Sequence, residues 1–263
     1  MAEPGINQSV ERSAAMLRTF ASNGSAGAEL RVADVARAVG IGVSTASRML
    51  ATLETVGFVE RDPSTQLYRL GRELINLGGR AVNADPVHRA ARQPAQELAA
   101  RTGLGVNVAV RDHDQLFYLC NFEGTAAPRS FVLTGQRNSL TATGLGKCLL
   151  LALSADERRQ LLPATLPSFT QNTIDRRAQL ETELAEVSRR GYATEREELA
   201  LGRACIAAPI RSVGGTVVAG LSISGPLTVL DLDRRERELA VTVIEAADAI
   251  SVQLGYDSHQ VSA

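Results

Sequence analysis

The stretch TATGLGKCLL, residues 141–150, places Gly144 and Gly146 just before Lys147 and an apolar run. Lys147 is the only lysine of the chain; every other basic residue is arginine. Glycines and a lysine opening a helix are the ingredients of a phosphate loop. A Walker A loop, however, needs a glycine about five residues before its final Gly-Lys and a serine or threonine after it. Here Thr141 and Cys148 stand at those ends, so nucleotide hydrolysis is not expected. Two readings remain. The backbone N–H groups of Gly144 and Leu145 are set to hold a small anion, a carboxylate included, at the positive end of a helix. Alternatively the loop is an ordinary capped helix start, with Gly144 and Gly146 packed against a sheet. Lys147 could serve as a Schiff-base lysine only in a desolvated pocket with partner groups. The sequence names none, which favours a brace that bonds nearby carbonyls or an acid.

Ser222 and Ser224 in GLSISG are two apart on an expected strand, so both hydroxyls point to one face and Leu221 and Ile223 to the other. If buried they need partners, which a ligand could supply; a solvent-facing strand is the alternative. Cys120, Cys148 and Cys205 are too few and too scattered for a disulfide framework or a zinc motif. His88 and His113 are read in loops and His259 in the tail, with no base placed beside a cysteine. No catalytic residue, metal site or cofactor is therefore assigned.

The elements that must position these residues follow from hydrophobic periodicity. The chain has 263 residues, 44% hydrophobic and 22% charged, with a net charge of −1, which suits a globular protein. No apolar run reaches the roughly 18–20 residues of a membrane span, and MAEPGINQSV lacks the basic and apolar regions of a signal peptide. A reducing cytoplasm is the expected compartment. Near-zero charge excludes a wholly basic nucleic-acid coat protein but leaves room for a small DNA-reading module, since phosphate contacts need only a local patch.

Three short helices and a hairpin are expected at the N-terminal end. Ala14, Leu17 and Phe20 recur at helical spacing, and residues 22–29 form a Gly/Ser loop. Val32, Val35, Ala36 and Val39 make one stripe, ended by Gly40. Ile41 and Gly42 then lead into VSTASRMLATLETVGF, whose buried face is Ala46, Met49, Leu50 and Leu53. Two helices joined by a glycine turn, followed by strands flanking DPST, make a winged helix. Its third helix turns Ser44, Thr45, Ser47 and Arg48 outward, donors suited to phosphates and base edges. Arg61 and Arg69 lie on the wing, where they could hold flanking phosphates. A protein-docking winged helix is the alternative.

Residues 72–101 read as helical, broken at Pro86 and Pro94. Beyond them come a hairpin around 106–122, a short strand FVL at 131–133, and helices from GLGKCLLLAL and from SADERRQLL. The latter is capped by Ser154 with Glu157. RRAQLETELAEVSRRG, the strands CIAAPIRS and TVVAGLSISG, and a long closing helix complete the chain. Strands interrupted by helices imply an α+β domain with an antiparallel sheet.

SVERSAAMLRTFA and LRVADVARAVGIGVSTASRMLATLETVGFVERDPSTQLYRLG resemble the winged-helix domain of the IclR family of bacterial transcriptional regulators. TATGLGKCLLL, GYATEREELALGRACIAAPIR and VVAGLSISGP resemble that family's effector-binding domain, so the likeness covers nearly the whole chain in order. The resemblance implies residues 8–71 as the DNA-binding domain, 72–84 as a linker helix, and 85–255 as a GAF-like effector-binding and oligomerisation domain. It implies that Gly144, Leu145, Glu195, Cys205, Ser222 and Ser224 line an effector site, with Glu198 structural and pairing with an arginine such as Arg203. It further implies a homodimer or dimer of dimers on double-stranded operator DNA, acting as a repressor that senses a small organic carboxylate. Val43 and Ser47 depart from the basic and the aromatic or histidine residues frequent in the family, which bears on the operator sequence. Ser139-Leu140-Thr141 replaces the family's Pro-Leu-His, which bears on the ligand. The alternatives are a small-molecule enzyme that uses the winged helix for docking, and a ligand-free architectural DNA protein.

Overall fold

The computed structural model describes residues 7–22, 29–126 and 133–257 and divides into two compact units, Met1–Val82 and Asn83–Ala263. Most of the loop expected at 22–29, two residues of the expected strand at 131–133, and His259 lie outside the described residues.

The first unit holds α1 (Gln8–Ser22), α2 (Val32–Val39), α3 (Val43–Thr55), and a hairpin of β1 (Val59–Arg61) and β2 (Tyr68–Leu70). Gly40 ends α2 in the left-handed region at φ 71°, a conformation that favours glycine. Its core is Met16, Phe20, Val35, Ala36, Ala46, Leu50, Leu53, Val59 and Tyr68. In α1 the centre of the buried stripe is Met16, with Ala14 and Leu17 only half-buried. The wing turns back tightly on α3. A Cβ on Gly71 would sit 2.2 Å from the Gly57 carbonyl oxygen, and Gly71 donates its N–H to Phe58. α4 (Arg72–Ala84) follows and contains no buried residue.

In the second unit α5 (Pro86–Thr102) is followed by β3 (Gly105–Asp112), β4 (Gln115–Phe122) and β5 (Arg137–Ser139). Next come α6 (Gly144–Leu150), α7 (Ala155–Leu161), α8 (Arg177–Arg190), β6 (Ala193–Arg196), β7 (Arg203–Arg211) and β8 (Val217–Pro226). α9 (Leu227–Leu230) and α10 (Leu232–Gln253) close the unit. The sheet is antiparallel throughout, in the order β5-β4-β3-β8-β7-β6. The architecture is α+β, as the residue patterns require.

Strand alternation gives the sheet two differently used faces. Val106, Val108, Ile206, Ala208, Leu221 and Ile223 pack with α5 and α10. The opposite face carries Ala109, Ala193 and Ala207 under α6 and α8, together with the strands' polar residues. No helix of the described residues is long and apolar enough to cross a membrane.

Three expectations are corrected. Pro94 lies inside α5 and does not break it. Proline removes an N–H and costs a helix about 3 kcal/mol, but Ala91, Ala95, Leu98 and Ala99 are buried on the same helix, and that packing carries it through. His88 accordingly sits in the first turn of α5, whose N-cap Asp85 accepts its N–H, rather than in a loop. The edge strand is Arg137–Ser139, with Leu133 in irregular chain. Its residues are exposed or half-buried and it is held by pairing with β4, so it left no hydrophobic signal.

Candidate functional site

On the first unit, α3 starts at Gly42 without a side-chain cap, leaving its first N–H groups open. Ser44, Ser47 and Arg48 are exposed and Thr45 is half-buried. No ion pair among the described residues engages Arg48. Thr52 Oγ donates to the Arg48 carbonyl at 3.1 Å, a bond along the helix that leaves the guanidinium clear. The wing arginines differ from it. Arg69 donates twice to Glu60, at 3.0 and 3.2 Å, and that bond lowers the Glu60 carboxyl's pKa. Arg61 lies over the Tyr68 ring, 5.4 Å from its centre. A phosphate reaching Arg69 would have to compete with Glu60, whereas Ser44, Ser47 and Arg48 present a bare polar face.

On the second unit, strand register assembles a cavity of about 350 Å³. Two rows cross the sheet on the α6 side. Ala193, Ala207, Ser222, Asn107 and Asn121 are successive partners in one; Glu195, Cys205, Ser224 and Gly105 are successive partners in the next. Ser222, Ser224 and Asn107 are buried and line the cavity with Leu145, Glu195 and Cys205.

The partner of the two serines is Asn107, which the sequence reading did not single out. Its amide donates to Ser222 Oγ at 3.3 Å and Ser224 Oγ at 3.0 Å. Asn121 donates to Asn107 Oδ1 at 2.9 Å, which fixes the direction of the chain of bonds. Each serine oxygen thus accepts once and keeps its own proton and a second accepting position. Ser224 points that proton at the Gly105 carbonyl over a long 3.5 Å. The Ser222 hydroxyl is the donor this row can still turn to the cavity. An amide between two valines in VNVAV was the available signal, since a polar residue within an apolar strand needs partners.

The glycine loop is packed from both sides. A Cβ on Gly144 would lie 2.9 Å from Cys205 Sγ, and one on Gly146 would lie 2.1 Å from the Leu140 carbonyl oxygen. Gly144 faces the cysteine and Leu145 faces the cavity. Thr143 caps α6 by accepting from Gly146 N–H, and Ser139 Oγ accepts from Thr141 and Ala142 N–H at 3.1 Å.

Lys147 is buried and braces this arrangement. Its ammonium donates to the Thr194 carbonyl at 3.1 Å and to Glu198 Oε1 at 2.5 Å. The expected partner of Glu198 was an arginine such as Arg203; the lysine takes that place because α6 lies over β6 and the turn after it. Burial raises the Glu198 carboxyl's pKa while the lysine pulls it down. Glu195 Oε1 accepts the N–H groups of Glu198 and Leu199, at 2.6 and 3.2 Å, closing the same turn. Burial also raises the Glu195 carboxyl, against those two N–H groups.

Burial pushes the Cys120 and Cys148 thiols up to about 12 and the Cys205 thiol well above its ordinary value. None is a ready thiolate, and no histidine is among the cavity's described lining residues.

Residues 79–252 match the family model described as bacterial transcriptional regulator IclR C-terminal, and residues 9–63 match that of the IclR helix-turn-helix domain. The chain is 34% identical over 223 residues to the HTH-type transcriptional regulator BhcR of Paracoccus denitrificans, covering 84% of this chain and 80% of that one. It is similar to the crystal structure of the Thermotoga maritima IclR, with TM-score 0.77, 28% identity and coverage of 94% and 98%. It shares its fold with an IclR homologue from Microbacterium hydrocarbonoxydans solved with 4-hydroxybenzoate, with TM-score 0.81, 24% identity and coverage of 94% and 99%.

Lys147→Met leaves the Glu198 charge buried and alone, and should destabilise the protein by ~3–5 kcal/mol. Adding Glu198→Leu should recover most of that loss in urea unfolding; a double variant no better than the single would remove the pair from its bracing role. Glu195→Gln tests the raised carboxyl. A raised folded pKa gives stability that is complete below the ordinary 4.5 and lost as pH rises through the folded value. The variant should therefore gain on the parent as pH climbs from below 4.5 to neutral, measured by urea unfolding at each pH.

Proposed function

The chain belongs to the IclR family of bacterial transcriptional regulators, and on that footing we propose that it is a one-component repressor whose cavity senses a small organic carboxylate. It is a DNA-binding regulator and not an enzyme, as its family and relatives are. In the proposed division of labour, residues 8–71 read operator DNA, 72–84 link, and 85–255 sense the effector and bring subunits together.

The observation that carries the sensing role is the direction of the Asn121–Asn107–serine chain. With the Asn107 amide donating to both serines and Ser224 turned to the Gly105 carbonyl, the Ser222 proton is left to donate inside the cavity, which suits an acceptor such as a carboxylate oxygen. Glu195 would repel such a ligand when ionised. The upward shift of its carboxyl by burial favours the protonated form beside the ligand. Leu145 adds apolar wall at the α6 start, whereas Gly144, expected to hold the ligand, faces Cys205 and is not among the cavity's described lining residues. The related protein solved with 4-hydroxybenzoate holds an aromatic carboxylate, the same chemical class.

On DNA, Ser44, Thr45, Ser47 and Arg48 are the proposed readers in the major groove, with Arg61 and Arg69 on flanking phosphates. One winged helix contacts few bases, so a homodimer or dimer of dimers on a pseudo-palindromic operator supplies the second half-site. The cytoplasm, where operator and metabolite are both available, is the proposed compartment. A ligand that favours one arrangement by ~1–3 kcal/mol changes operator affinity about 5–150-fold.

Arg48→Ala should weaken binding to DNA from upstream of the protein's own gene by ~1–3 kcal/mol in fluorescence anisotropy while sparing unrelated sequences. Equal loss on all sequences would make it a phosphate contact. The double variant Ser222→Ala, Ser224→Ala should bind DNA normally and lose its response to inducer; a retained response would take these serines out of the site.

A further inference from the structure

We propose that the effector's carboxylate is held on Glu195 Oε2 with a proton shared between the two acids, so that binding draws a proton from solvent. This rests on the reading of the cavity as a carboxylate-sensing site and adds how that site holds its ligand and what tunes it.

The geometry of Glu195 carries the proposal. The residue is 6% exposed and lines the cavity. Its two carboxyl oxygens are used unequally. Oε1 accepts the Glu198 N–H at 2.6 Å and the Leu199 N–H at 3.2 Å. Oε2 has no hydrogen-bond partner among the described residues and is left to the cavity. An oxygen that already accepts two N–H groups is the poorer place for a proton, so the proton of a neutral Glu195 sits on Oε2. There it is a donor on the cavity side. Glu195 on β6 and Ser222 on β8 flank β7, so a carboxylate lying over β7 can accept from both, the Glu195 bond at about 2.5–2.7 Å.

Two ionised carboxylates at hydrogen-bond distance repel, whereas a proton between them makes a short, charge-assisted bond. The proton comes from solvent, and the pair keeps a single negative charge. The groups around Glu195 do not supply it. Lys147 on α6 is taken up by Glu198 and the Thr194 carbonyl. Glu198, on the turn, adds a like charge. The Cys205 thiol, opposite Glu195 on β7, holds its own proton well above its ordinary range. Arg203 and Tyr118 in the lining have interactions of their own. Burial already raises the Glu195 carboxyl, and a bound carboxylate raises it further. Affinity for the acid is therefore lost as pH rises from the free value to the ligand-bound one.

The test is calorimetric titration of the full chain with benzoate and with butyrate, each in phosphate and in Tris, whose different heats of ionisation count the protons taken up. Over about pH 6 to 8 the free acids stay ionised. Within that range the parent should take up as much as about one proton, and its affinity should fall by up to about ten-fold per pH unit. Glu195→Gln presents a carbonyl to the two N–H groups and an amide N–H to the cavity at every pH. It should take up no proton and, at about pH 8, bind benzoate about ten-fold more tightly than the parent. A parent that binds either acid without proton uptake, or a Glu195→Gln variant that still takes up a proton, would overturn the shared proton while the carboxylate-sensing reading stands. A folded Glu195→Gln variant that binds neither acid, while the parent does, would overturn it too. If neither acid binds the parent at any pH, both readings fall together.

Discussion

The second unit depends on one buried ion pair. Lys147 is inside the protein, and its ammonium is held by Glu198 and the Thr194 carbonyl. Taking two charges out of water costs several kcal/mol each, so such a pair is tolerable only when geometry and extra hydrogen bonds are good. Here they join three things that sequence separates: the helix that starts at the glycine loop, the edge strand β6, and the turn at 195–199. Glu195 accepts two N–H groups of that turn, so the turn that carries the lysine's partner also borders the cavity through Glu195 and Leu199. The lysine is the brace its sequence context favours, holding the start of α6 to β6 and the turn after it.

A second constraint is directional. An antiparallel sheet has hydrophobic claims on both faces, yet one of its faces here keeps Asn121, Asn107, Ser222 and Ser224. A buried polar network is favourable only if its members are satisfied. This one is satisfied in a definite sense, amide to amide to hydroxyl, and the final proton of Ser222 is what remains for a ligand. The cavity's chemistry thus follows from bond direction more than from residue type. With Asn107 donating to both serines, each has one accepting position filled and its own proton still to place.

Much of this was legible from residue patterns, for identifiable reasons. The helix pair around Gly40, the hairpin after Gly57, the Ser154–Glu157 cap and the shared face of Ser222 and Ser224 follow from local periodicity and capping chemistry. Those rules act within a few residues. What the patterns did not reveal depends on partners distant in the chain. Asn107 meets Ser222 and Ser224 across strand register. Lys147 meets Glu198 only because α6 crosses to β6, which is why an arginine looked equally suitable. Glu195 Oε2 gains significance only once the turn after β6 takes up the other oxygen. Pro94 sits inside a helix because burial of its neighbours outweighs its local preference. The strand at 137–139 is held by backbone pairing at a sheet edge, which writes little into composition.

The central claim is that one chain couples ligand occupancy of the cavity to operator binding. Linkage makes that claim measurable in a single quantity. Calorimetric affinity for an acid that enters the cavity should be determined with and without saturating operator DNA. For a repressor released by its ligand, operator DNA should weaken acid binding by about 5–150-fold, the same factor by which the acid weakens DNA binding. An acid affinity unchanged by operator DNA would contradict the account.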